Sequence, residues 1–229
     1  MKKIGLILVL IILVSLQFFL PRYTARQLEE SLQEEVDDYQ SLQVELNTWP
    51  AVELFLNRAD QVEIKGDNIV VDRLKLATLR AEFRDLKLAE RAGDWEVVRA
   101  ENRSLYLLLR EKDLNDYLKT KDELDIFKRV KLDLTPTQVI LKGVISFFDA
   151  EVTLQLTGDF SVVEGEKIIF RSDKLAVENF LVSTSSIKQL KDKLQFELDL
   201  AELELPLDVR KVNLESDKLE ILGPNSENN

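Results

Sequence analysis

The sequence predicts an α+β domain, built of antiparallel β-meanders and a few short helices, behind an N-terminal transmembrane helix. Three observations carry this expectation. An apolar run at Ile4–Leu20 follows Lys2 and Lys3, apolar residues alternate with polar ones over most of the chain, and in a few short stretches the apolar spacing lengthens to three and four.

The apolar run of 17 residues is interrupted only by Gly5, Ser15 and Gln17. As a helix it is about 25 Å long, the lower limit for crossing a hydrocarbon core of about 30 Å. Phe18-Phe19-Leu20-Pro21-Arg22-Tyr23 has no small-residue cleavage site, and the chain has no cysteine for lipid attachment. An uncleaved anchor over residues 1–20 is favoured over a cleaved signal, with Lys2 and Lys3 on the cytoplasmic side. That orientation puts the bulk of the chain outside the cytoplasmic membrane as a single-pass protein.

Residues 25–39 carry Ala25, Leu28, Leu32, Val36 and Tyr39 at helical spacing against a row of carboxylates, an amphipathic helix. Leu42, Val44 and Leu46 then alternate as a strand. Val62 and Ile64, a turn at Gly66-Asp67-Asn68, and Ile69 and Val71 read as a hairpin; Leu74 to Leu88 and Leu105 to Leu109 read as further strands. In the second half, Val130–Leu134 and Val139–Leu141 flank Thr135-Pro136-Thr137-Gln138, a turn with Pro at its favoured second position. Val152–Val162 and Ile168–Val177 form another long pair about Gly165. Short helices are expected over residues 51–58 (Val52, Phe55, Leu56), 111–121 (Leu114, Tyr117, Leu118) and 186–196 (Ile187, Leu190, Leu194). Residues 131–143 and 211–223 resemble each other as hairpins, consistent with a repeated helix-plus-hairpin unit. A single domain over residues 21–223 and a disordered polar tail over 224–229 complete the division.

Composition excludes most chemistry. Without Cys or His the chain has no thiolate nucleophile, imidazole base, disulfide or ordinary zinc or haem site. No cofactor and no metal is expected. The net charge is −11, and −13 once Lys2 and Lys3 are set aside, so nucleic acid is repelled. Ser185-Ser186-Ile187-Lys188 has the S-x-x-K spacing of serine penicillin-recognising enzymes, but Ser172-Asp173-Lys174 is not S-D-N and no K-T-G follows. A helix cap explains these serines better. Among 42 Asp and Glu residues no catalytic pair stands out. The chain is therefore read as a non-enzyme with no catalytic residues.

Lys119, Lys121, Lys128, Arg129 and Lys131 form the densest basic stretch. Lys128, Arg129 and Lys131 are candidate contacts to a lipid headgroup if they face one way; a solvated mixed-charge face is the other reading. The apolar strand faces exceed what three short helices can cover, so either two sheets pack together or one curved sheet wraps the helices and leaves an apolar cavity.

A resemblance decides between these. The order of apolar segment, helix, strand and short helix continues through Val62–Val71, Asp113-Leu-Asn-Asp-Tyr-Leu118, Val130–Gly143, Leu205–Val212 and Leu219–Gly223. From about Ala25 to Gly223 it resembles the LmeA family of envelope phospholipid-binding proteins. The resemblance implies a half-module of the tubular lipid-binding type, related to bactericidal permeability-increasing protein: a strongly curved antiparallel sheet wrapped around a few helices. The chain departs from that pattern where Phe55–Asp60 replaces a Gly-rich segment. On this fold the helix-stripe residues Phe55, Leu114, Tyr117, Leu118, Ile187, Leu190 and Leu194 are the lipid-cavity candidates. The expected function is binding of a phospholipid or another long-chain lipid in support of envelope assembly or lipid transport. The alternative is a tethered scaffold with a closed core that meets a protein partner.

Intact mass of the chain purified from membranes should retain residues 1–20; a mature chain starting between Arg22 and Gln27 would overturn the anchor.

Overall fold

The computed structural model describes residues 2–91, 94–121, 124–147, 150–178, 196–203, 205 and 207–226. It is mostly antiparallel sheet, strongly curled like a half-barrel, with few helices. Helix α1 (Lys2–Glu35) leads into a seven-stranded sheet of β1 (Ser41–Asn47), β2 (Arg58–Val71), β3 (Leu74–Arg91), β4 (Asp94–Arg99), β5 (Asn102–Arg110), β11 (Lys211–Glu215) and β12 (Lys218–Leu222). Its order is β1-β2-β3-β5-β12-β11, with β4 also on β3. A second, five-stranded sheet holds β6 (Phe127–Thr135), β7 (Gln138–Phe147), β8 (Ala150–Val163), β9 (Lys167–Glu178) and β10 (Glu197–Asp199) in the order β10-β9-β8-β7-β6. Helix α2 (Glu111–Leu118) follows β5 and precedes β6, so it stands between the sheets in sequence and in space.

The curl is written into the β2–β3 ribbon. On β2 the buried positions run Ala59, then Val62, Ile64 and Gly66, then Ile69 and Val71; on β3 they run Leu74 and Leu76, with Ala77 also buried at the break, then Leu79, Ala81 and Phe83, then Leu86. Strict alternation therefore slips by one residue twice. The slips on the two strands face each other, at the pairs Asp67↔Thr78 and Gln61↔Arg84. Asn68 (φ +50°) and Asp85 (φ +54°) sit at these levels in the left-handed region, which Asn and Asp tolerate better than most residues. Each slip re-aims both strands together and bends the sheet.

Gly66-Asp67-Asn68 is therefore not the hairpin turn that the sequence suggested. Strand β2 runs through it, and the reversal falls at Asp72-Arg73, both at positive φ (+43° and +67°), the geometry of the tight turns that suit twisted strands. The predicted hairpins at 130–141, 152–177 and 211–222 are present. Gly158 marks a register shift between β8 and β9, and a Cβ there would clash with the Arg171 carbonyl oxygen.

Two boundaries differ from expectation. The apolar segment and the amphipathic helix are one helix through Pro21, not an anchor followed by a separate element, because Leu20 to Leu32 pack continuously on the core. Among the described residues no helix is long and apolar enough to cross a membrane, so the fold gives α1 as a long helix and does not establish it as a span. At the other end Ser226 is held, not frayed: its hydroxyl accepts from the Leu105 N–H (3.1 Å) and donates to the Leu105 carbonyl (2.6 Å).

The inner faces of both sheets meet in one apolar cluster that includes Phe83, Leu107, Leu132, Leu141, Leu156 and Phe170. Phe170 stacks on Phe196 with ring centroids 5.4 Å apart, and Phe160 meets both edge-on.

The sheets are joined by side chains of α2. Strand β6 is an edge strand, and the Asn115 amide accepts from the Leu132 N–H (2.7 Å) and donates to the Leu132 carbonyl (2.8 Å), standing in for a neighbouring strand. One turn earlier, Glu111 Oε2 accepts from the Leu134 N–H (2.7 Å). Asn115→Ala should lower urea-unfolding stability by about 1–3 kcal/mol, through the stranded Leu132 groups, whereas Lys112→Ala on the exposed side of α2 stays within about 0.5 kcal/mol. Gly158→Ala should cost at least about 2 kcal/mol in the same measurement, because the clash is with backbone.

Candidate functional site

Helix α2 is eight residues long and divides its faces cleanly. Leu114, Tyr117 and Leu118 are buried in the core, while Lys112, Asp116 and Lys119 face outward. Its outer face, β6 and the β11–β12 turn enclose an open groove of about 840 Å³. Arg110, Lys112, Lys119, Arg129, Lys131 and Lys218 line it, against the carboxylates Glu111, Asp116 and Asp217. Six cations against three acids make this a positive site on a chain of net charge −11. Val130 and the aliphatic stems of the long cations supply an apolar lining beneath charged tips.

Two of the three acids have partners of their own, and the third residue is held through its backbone. Glu111 caps Leu134, Asp116 binds Lys119 at 2.7 Å, and the Asp217 carbonyl accepts from the Glu111 N–H at 2.9 Å. The Lys119 hydrogen bond holds the Asp116 carboxyl below its ordinary range. Among the described residues, Arg110, Lys112 and Lys218 are in no ion pair. Arg110 and Lys218 are direct register partners on β5 and β12, which sets two cations side by side at the mouth of the groove.

A bulge places the predicted headgroup residues. Phe127 pairs with Ile145 and Arg129 with Val144, so Lys128 is the extra residue on β6. Phe127 turns inward over Gly143, while Lys128, Arg129 and Lys131 are all exposed. Arg129 and Lys131 line the main groove; Lys128 lines a neighbouring concavity of about 280 Å³ with Leu118, Lys121 and Leu124. Each has a carboxylate near: Lys128 Nζ is 3.1 Å from Glu151, Arg129 is 3.7 Å from the same group, and Lys131 binds Asp133. The hydrogen bond from Lys128 lowers the pKa of Glu151, and that from Lys131 lowers the pKa of Asp133 while Asp133 raises that of Lys131.

The cavity candidates divide three ways. Leu114, Tyr117 and Leu118 are together on the inner face of α2, fully packed. Burial pushes the Tyr117 phenol pKa up, and the Lys121 ammonium lies 4.4 Å from the Tyr117 ring centroid. Phe55 is elsewhere and exposed. The expectation for Phe55 assumed an α-helical stripe of Val52, Phe55 and Leu56, but residues Ala51–Leu56 form a 3₁₀ turn of three residues per turn, which buries Ala51 and Leu54 and leaves Val52 and Phe55 on the outer side. Ile187, Leu190 and Leu194 lie outside the described residues, as do Ser185 and Lys188.

Arg110, Lys112 and Lys218 were not legible as site residues. They are scattered over more than a hundred positions, and only the β5–β12 pairing gathers them. Among the described residues no group of three Asp or Glu side chains is placed to hold a metal ion. No curated protein and no solved structure matches the chain. The family profile for LmeA-like phospholipid-binding proteins matches residues 16–223, which takes in α2, both sheets and the basic groove, and the chain belongs to that family.

Proposed function

We propose that the protein is a non-catalytic phospholipid-binding domain, held at the outer face of the cytoplasmic membrane by α1, that serves envelope assembly or lipid movement. The observation that carries this reading is the position of α2 in a chain of the LmeA-like family: one face of the helix lines a groove rich in cations, and the other touches the apolar interior. A lipid needs both environments within one molecule's length. Its phosphate would sit among Arg110, Arg129, Lys131 and Lys218, with charge-assisted hydrogen bonds to the Arg forks. Its chains would enter the apolar side near Leu114, Tyr117 and Leu118, where each buried CH₂ contributes about 0.8 kcal/mol.

The tether is supported by the basic pair Lys2 and Lys3, by the apolar run that follows, and by the exposure of Ile7, Ile11, Ile12 and Val14 on the part of α1 that precedes the packed domain. A second reading has one observation in its favour. Leu114, Tyr117 and Leu118 are packed shut, as they would be in a tethered scaffold that binds a protein partner.

Native mass spectrometry of the full chain released from nanodiscs distinguishes the two, since co-purified phospholipid adds its own mass to the protein. Arg129→Glu with Lys131→Glu should weaken binding to phosphatidylglycerol by about tenfold or more, the worth of one or two charged hydrogen bonds, without loss of stability. The apparent affinity of the unmodified chain should also fall as salt rises. A chain that carries no lipid, with unchanged binding in the double variant, would leave the scaffold reading.

A further inference from the structure

Most of the large apolar side chains that remain exposed are gathered at one end of the molecule, while Tyr39 and Ile126 lie apart from it. Phe18 and Phe19 stand out from α1 at the end of its apolar half, and Trp49 (75% exposed), Phe55 (65%) and Leu56 (70%) stand out from the segment around the 3₁₀ turn. The two groups are locked to each other through Gln17. Its side-chain amide donates to the Thr48 carbonyl (3.0 Å), and its oxygen accepts from the Ala51 N–H (2.7 Å). Asp60 takes the Trp49 N–H at 2.7 Å. The backbone groups that join the turn to the helix are therefore satisfied within the protein, while its aromatic and aliphatic side chains point out.

Height along α1 says what this foot meets. At about 1.5 Å per residue, Gln17 is only about 20 Å from Ile4, well short of a hydrocarbon core of about 30 Å. If Ile4 sits at the inner boundary, the turn docked on Gln17 lies within the outer leaflet and not above it. The charges follow the same order. Exposed Arg22 and Arg26 come about 27 and 33 Å from Ile4, at the depth of the outer phosphates, and the first carboxylate of α1, Glu29, comes later.

On the reading that α1 anchors the chain, we infer that Trp49, Val52, Phe55 and Leu56 form, with Phe18 and Phe19, a collar that sinks the foot of the domain into the outer interfacial layer of the bilayer. The short anchor and the collar are then one device. The helix is too short to hold the domain clear of the membrane, and the foot presents Trp49, Val52, Phe55 and Leu56 where it is drawn in. The collar fixes the height and orientation of the domain on the surface.

Trp49 is its own reporter. In the full chain with Trp95→Phe, reconstituted into phosphatidylcholine and phosphatidylglycerol vesicles, Trp49 emission should be blue-shifted and quenched about twofold or more when the lipids carry bromine on the upper acyl chain, as for an interfacial indole. Phe55→Ser with Leu56→Ser, both exposed, should reduce that quenching and leave the fold intact. Vesicle flotation of the same samples separates the premises. Chain that floats with Trp49 unquenched overturns the collar and leaves the anchor standing; chain that does not float overturns both. Trp49 shielded from bromolipid but buried in a concentration-dependent dimer would also overturn it, because the face would then belong to a second copy of the chain.

Discussion

The joint between α2 and strand β6 is the constraint on which the arrangement depends. A β-sheet edge inside a folded domain leaves N–H and C=O groups that need partners, and here the partners are side chains: Asn115 takes both groups of Leu132 and Glu111 takes the N–H of Leu134. The Asp217 N–H lies 3.5 Å from the Leu134 carbonyl, so the β11–β12 turn closes the same edge. Because α2 continues directly from β5, these bonds fasten the five-stranded sheet to the seven-stranded one. Leu114, Tyr117 and Leu118, at the complementary helical positions, fill the space behind the joint.

The groove is a by-product of that joint. Residues that seal β6 turn the remaining face of α2 outward beside β6 and the turn of β11–β12, and the cations of four separate segments meet there. Their mutual repulsion is eased by the pairs of Lys119 with Asp116, Arg129 with Glu151 and Lys131 with Asp133, and the three cations Arg110, Lys112 and Lys218 stand outside any ion pair among the described residues. In a strongly acidic protein, this local reversal of sign sets the groove apart from the rest of the surface.

The other end of the molecule answers a different demand. Gln17 is a polar residue in an apolar helical stretch, and its position is explained by the turn it holds: one amide satisfies a donor and an acceptor of a backbone segment that otherwise needs water. Trp49, Val52, Phe55 and Leu56 then stand out from a turn whose joining backbone groups are satisfied within the protein.

Several features were legible in the amino-acid sequence alone. Period-two alternation in β2, β3, β5 and β7–β9, the Thr135-Pro136 turn and the stripe of α2 are local, and each fixes its element through backbone geometry and one-sided burial. The absence of His and Cys, also local, fixed the classes of chemistry open to the chain. What the tertiary structure decided are the features that depend on residues far apart. The slips at Asn68 and Asp85 show as curvature only when the two strands are paired, and Phe55 faces out because packing selects a 3₁₀ turn over an α-helix of the same residues. Arg110 and Lys218 become one site only through the β5–β12 register, more than a hundred residues apart in the chain. Periodicity records which face of an element is buried; which elements then share a face is settled by hydrogen-bond pairing across the sheet, which no local pattern encodes.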